Sequence, residues 1–176
     1  MKKTILVILT LIFSINLFGQ TDFPIDVKTG KITYKEVIEN KYDSVMNNEI
    51  IEKLLSDTVL FSDMVKTNEN GKLIINAKGK IPVHFYYKEN STNKRSIGLV
   101  NYDISMLILK NKVGYKFTNF VHVNGKMAGG LLENKSGGWV ATDYWEGIKK
   151  QTNEYIESLI KEIEISLKNK ELGEEW

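Results

Sequence analysis

Apolar side chains recur along this chain in two rhythms, and each rhythm predicts an element. From Ile32 to Ile38 they alternate, with Ile32, Tyr34 and Glu36 on one side and Thr33, Lys35 and Val37 on the other. Period two is the mark of a strand. Phe23–Val27 reads as a shorter strand before it, with Lys28-Thr29-Gly30 as the turn, so the chain opens on a predicted hairpin. Asp43-Ser44 then offers N-cap chemistry, and Val45, Ile50, Ile51, Leu54 and Leu55 follow at helical spacing. Thr58–Val65, with Leu60, Phe61, Met64 and Val65 apolar, continues that helix or forms a second short one. Asn68-Glu69-Asn70-Gly71 stops it.

Period two then returns. Lys72–Ala77 is one predicted strand, and Ile81, Val83, Phe85 and Tyr87 share a face of the next. Pro82 marks the start or the edge of that strand. A polar loop, Glu89 to Arg95, leads to a long strand in which Gly98, Val100, Tyr102, Ile104, Met106 and Ile108 share a face. Lys110–Gly114 is a turn, and Tyr115, Phe117, Asn119, Val121 and Val123 alternate through a fourth strand. Residues 124–147 are irregular and hold six of the thirteen glycines. From Ile148 to about Lys170 the pattern turns helical, with Tyr155, Ile156, Leu159, Ile163 and Leu167 along one stripe. One apolar face per strand and one apolar stripe per helix must be buried against each other. The expected fold is therefore α+β: a curved antiparallel sheet with an N-terminal hairpin, one or two short helices, and a long C-terminal helix packed on one face.

Two stretches carry a family resemblance. The first is Phe23-Pro24 followed by Gly30-Lys31-Ile32-Thr33-Tyr34-Lys35-Glu36-Val37-Ile38; the second runs from Tyr102-Asp103-Ile104-Ser105 through Gly114-Tyr115-Lys116-Phe117-Thr118-Asn119-Phe120. With the order of elements, they resemble domain-of-unknown-function family 4468, exported bacterial proteins with a TATA-binding-protein-like fold. The likeness covers roughly residues 23–124. It implies that fold, close in outline to a helix-grip arrangement, and it brings no catalytic signature. A fold name describes shape and implies no DNA binding.

Before the first strand stands a segment of another kind. Lys2 and Lys3 precede an uncharged run from Thr4 to Phe18, which ends at Gly19. A basic start, an apolar stretch short for a bilayer span and a small residue at its end read as a secretory signal peptide, with an uncleaved N-terminal anchor as the alternative because Leu17 stands where a small residue is more usual. The expected organisation is a signal peptide over 1–19, one α+β domain over 20–170 and a frayed tail over 171–176. The protein is then exported, to the periplasm or the medium, with no stable membrane span once the signal is cleaved. Of 24 basic residues, Lys2 and Lys3 leave with the signal, so 22 remain against 22 acidic ones. A net charge of zero disfavours nucleic acid, whose binders carry an excess of Lys and Arg. The absence of cysteine removes disulfides, lipid modification through a thiol and thiol nucleophiles.

Candidate chemistry is sparse. His84 and His122 fall on the strand faces opposite those assigned to the core, and neither belongs to a metal-ligand spacing. No nucleophile elbow or phosphate loop is present, and no acid–base pair can be named. The expectation is a protein with no cofactor, no metal and no enzymatic activity. The large aromatics remain. Phe85, Tyr87, Tyr102, Met106 and Phe117 are placed on the sheet face under the long helix, with Trp139 and Trp145 near its start. If the sheet curves away from the helix, these seven line a groove for a small apolar molecule or a peptide. If they fill the space themselves, there is no ligand cavity, and the protein is a structural or interaction component that meets another envelope protein.

Overall fold

The computed structural model describes residues 23–56, 61–70, 72–89, 92–123, 129–135, 137, 140 and 142–168, and the side chains of 85–97, 142 and 143 fall outside that description. The expected signal peptide over 1–19 and the expected tail over 171–176 also lie outside the described residues. The elements are β1 (Tyr34–Glu39), α1 (Ser44–Ser56), β2 (Phe61–Glu69), β3 (Lys72–Glu89), β4 (Thr92–Leu109), β5 (Lys112–Val123), β6 (Gly130–Leu131) and α2 (Thr142–Lys168). The strands form one antiparallel sheet in the order β1-β5-β4-β3-β2, with β6 paired to the end of β5. This is the predicted α+β arrangement of a curved antiparallel sheet with a long C-terminal helix.

Local chemistry explains most element boundaries. Asp43 Oδ1 accepts from Met46 N at 2.9 Å and caps α1. Asn47, Ile51 and Leu55 form the buried side of that helix. The Asn47 amide donates to Leu109 O at 2.9 Å, which ties α1 to the end of β4. In α2 the buried positions are Trp145, Ile148, Thr152, Ile156, Leu159, Ile163 and Leu167, a stripe that stays in line over the whole helix. The helix begins six residues before the Ile148 expected from its pattern, so Trp145 belongs to the helix and not to the preceding loop. The N-terminal turn closes on a single bridge, Ile25 to Ile32, with Gly30 at φ 67°. Beyond it, β1 pairs along β5.

Tertiary pairing overrides the local pattern in three places. The stretch expected to extend or follow the first helix contains β2, which pairs with β3 from Phe61 to Glu69. The two strands expected over 72–88 are one, β3, because its pairing with β4 runs unbroken from Leu73 to Glu89. In β5, Asn119 takes φ 58° and forms a bulge, and the register against β4 shifts between Asn101 and Asp103. One extra residue reverses which side chains face the core. Phe120 and His122 therefore point inward, and the inward alternation expected to continue through Asn119, Val121 and Val123 stops at Phe117.

Both helices lie on the same side of the sheet. The long helix packs along β3, and the short helix packs on β4, β5 and the long helix. Among the described residues, the far half of β3 is paired on one side only, since the β2 register ends at Gly79. Gln151 of α2 bonds the backbone there: its Oε1 accepts from His84 N and its Nε2 donates to His84 O, both at 2.9 Å. Among the described residues, an amide side chain thus makes the backbone bonds that a neighbouring strand would make.

Candidate functional site

The groove expected between sheet and helix is occupied by its own side chains at every candidate position whose side chain is described. Tyr102 is 1% exposed, and Met106, Phe117 and Trp145 are 0% exposed. Tyr102 stacks on Phe120 at 5.6 Å between ring centroids, and meets Phe117 at 6.0 Å and Phe61 at 6.4 Å. Burial drives the Tyr102 hydroxyl pKa above its ordinary range, with the neighbouring Tyr155 adding to the shift. Trp145 donates its indole N–H to Asn134 O at 2.9 Å and packs edge-on to His122. The side chains of Phe85 and Tyr87, and Trp139 as a whole, lie outside the described residues.

His122 was expected on the solvent side of its strand; the Asn119 bulge turns it inward, where it is completely buried. Its Nδ1 accepts from Gly129 N at 3.1 Å. Burial lowers its pKa, so the neutral imidazole is the form that fits. His84 is half-buried where Gln151 bonds its backbone. Among the described residues, no group of three or more His, Asp or Glu side chains comes together to hold a metal ion. No helix of the described residues is long and apolar enough to cross a membrane.

Among the described residues, two clefts stand out away from this core. One, of about 580 Å³, sits against the N-terminal turn and is lined by Pro24–Lys28, Thr33–Lys35 and Tyr115. Its carboxylate is already engaged. Asp26 accepts from Lys28 N, Thr29 N, the Thr29 hydroxyl and Lys35 Nζ. These bonds, the one from Lys35 above all, hold the Asp26 pKa down to about 2. Burial, helped by Glu36, pushes the Tyr115 hydroxyl up to about 12.

The second cleft, of about 410 Å³, is on the face of the sheet opposite α1 and α2. Two adjacent cross-strand rows build it. Ser62, Lys78 and Asp103 are opposite one another on β2, β3 and β4; Lys80, Asn101 and Val121 are opposite one another on β3, β4 and β5. A bulge flanks the rows on each side, at Asp63 in β2 and Asn119 in β5, both with positive φ. Bulges bend a strand and raise its twist, which hollows the face between them. Asn119 is held from two directions, with its Oδ1 accepting from Lys31 Nζ at 2.7 Å and its Nδ2 donating to Asp103 Oδ2 at 2.6 Å. A non-glycine residue at positive φ persists where its surroundings over-determine it, and such residues cluster at binding sites. The sequence singled out none of these residues for a site. The hint was Asn119 itself, a residue type enriched in the left-handed region, placed within a run of strand residues.

No family model matches the chain, and no curated protein matches it in sequence. Solved structures do resemble it. A TBP-like protein from Parabacteroides distasonis ATCC 8503 aligns with a TM-score of 0.55 at 13% identity, over 81% of this chain and 96% of that one. A DUF4468 family protein from Bacteroides ovatus ATCC 8483 aligns with a TM-score of 0.59 at 12% identity, over 81% of this chain and 90% of that one. At such identities the likeness is one of architecture, and the chain has the TBP-like fold.

Proposed function

We propose that this protein is a non-enzymatic binding module of the cell envelope, and that it binds through the open face of its sheet. The observation that carries the reading is the cleft of about 410 Å³ on the sheet face opposite α1 and α2, framed by two bulges. Small-ligand sites are concave, within roughly 300–1,000 Å³, and offer a few fixed polar groups. The space between sheet and helix, where an apolar ligand was expected, is taken by Tyr102, Met106, Phe117 and Trp145. The signal-peptide pattern supports the location, and the lack of a nameable nucleophile or acid–base pair in the sequence supports the non-enzymatic reading.

A second reading, an interaction component that meets another envelope protein, is favoured by one feature of the same face. Leu99 is opposite Val123 and Val121 is opposite Leu131, and Leu99 and Leu131 are exposed. This apolar strip borders the cleft at Val121. Amide NMR shifts of labelled protein, titrated with size-fractionated envelope extract, test the proposal. Shifts at Lys78, Lys80, Asn101 and Val121 with a small-molecule fraction are expected. Shifts over Leu99, Val123 and Leu131 with a macromolecular fraction alone would select the second reading. Shifts confined to the helix side would overturn both.

A further inference from the structure

The lining of the open-face cleft discriminates among ligand chemistries. Asp63 and Asp103 oppose Lys78 and Lys80, so the charged groups of the lining cancel. Two of these groups already face each other, and a third is hydrogen-bonded. Lys78 Nζ lies 3.6 Å from Asp63 Oδ2, and the Asp103 carboxylate accepts from the Asn119 amide. With two acidic and two basic groups in the lining, an ionic ligand would meet a field of near-zero sum. A neutral ligand needs no counter-charge.

Hydrogen-bonding capacity of both kinds remains. The Lys80 ammonium donates, the Ser62 hydroxyl donates and accepts, and the Asn101 amide does both. Asn101 Oδ1 is buried without a hydrogen-bond partner among the described residues, an unmet demand that a ligand hydroxyl would satisfy once the side chain turns toward the cleft. Val121, opposite Asn101, adds an apolar surface. The Lys31–Asn119–Asp103 chain of hydrogen bonds holds the wall in place before any ligand arrives. Hydroxyl groups, each donor and acceptor, set on a ring with apolar C–H edges, match this set of partners.

We propose, resting on the open-face reading above, that the cleft binds a neutral saccharide. Val121 lies against the sugar ring, while Lys80, Asn101 and Ser62 bond its hydroxyls. The test is a titration of isotope-labelled full-length mature protein with four probes: cellobiose, chitobiose, glycylglycine and inorganic phosphate. Saturable shifts of the Asn101 side-chain amide and the Val121 methyls with either disaccharide are expected. Asn101→Ala and Lys80→Met should each weaken that binding by about tenfold, the loss of one good hydrogen bond. Lys80 is solvent-exposed, so its replacement keeps the test valid even if Asn101→Ala fails to fold. No response to either disaccharide overturns the inference. A response at the same resonances to glycylglycine or phosphate alone overturns the saccharide and leaves the open-face reading standing. Envelope-extract shifts confined to the helix side remove that reading, and this inference with it.

Discussion

Replacing Trp145 by alanine separates a core tryptophan from one at the mouth of a groove. The side chain is fully buried, and it meets the end of β5 and three residues of the segment that follows it. Its N–H bonds Asn134 O, its ring meets His122 edge-on, and it lies against the backbone at Gly129 and Gly137. A buried aromatic of this size removes about 150–250 Å² from water, which at about 25 cal/mol per Å² is about 4–6 kcal/mol. Partial collapse of the cavity lowers this, while the Asn134 carbonyl left without its donor adds about 1 kcal/mol. The expected loss is about 4 kcal/mol, within the usual range for Trp→Ala. In a domain of this size that corresponds to a fall in Tm of about 8–16 °C. Urea unfolding followed by far-UV circular dichroism measures it, with an unchanged m-value as the sign that two-state behaviour holds. Trp145→Phe keeps most of the buried area, loses the N–H, and should cost about 1–2 kcal/mol. A loss below about 1 kcal/mol for the alanine variant, at unchanged m, would refute the core assignment and return Trp145 to a partly open groove.

Other perturbations probe separate contacts. Leu159→Ala on the buried stripe of α2 should cost about 2–5 kcal/mol in the same unfolding assay, and an unchanged midpoint would reject the packing of that helix. A Cβ added at Gly98 would lie 2.4 Å from His122 Nε2, and the buried ring has little room to retreat. Gly98→Ala should therefore cost about 1–3 kcal/mol, and a neutral result would show that the imidazole is free to move. The folded state resists a proton that His122 accepts near its ordinary value of 6.5 once unfolded. Stability from this group is thus complete above about pH 6.5 and declines as the pH falls from there towards the lowered folded-state pKa. Comparing urea midpoints at about pH 7.5 and pH 5 for wild type and His122→Gln checks this, since a variant with the same decline would rule His122 out as its source. Export is tested by intact mass: the mature chain is expected to start at or near Gln20, and a mass that retains residues 1–19 would contradict the signal-peptide reading.

The groove and the cleft show how differently two sites can be written in a chain. Tyr102, Met106 and Phe117 stand out as large side chains on a regular alternation, and the sequence correctly puts them on the helix side of the sheet. Whether such groups line a space or fill it depends on helix–sheet separation, which no local pattern encodes. The open-face cleft is the opposite case. Ser62, Lys78, Asn101 and Asn119 are ordinary polar strand residues in sequence, and they meet only because four strands align in a particular register.

The pattern of apolar positions alone determined the class of fold. Strands of period two need one buried face, a helix of period 3.6 needs one buried stripe, and these two surfaces satisfy each other. The Asp43 cap, the turn at Gly30 and the stripe from Ile148 to Leu167 are local chemistry and could be read directly. Tertiary structure decided what local chemistry left balanced. Phe61, Met64 and Val65 suit a helix as well as a strand, and pairing with β3 selects the strand. Asn119 suits a strand interior poorly and a bulge well. Its one-residue slip buries His122 and Phe120, turns Val121 outward, and sets one wall of the cleft. Period two makes every downstream position depend on that single residue, because a shift of one exchanges the two faces of the sheet.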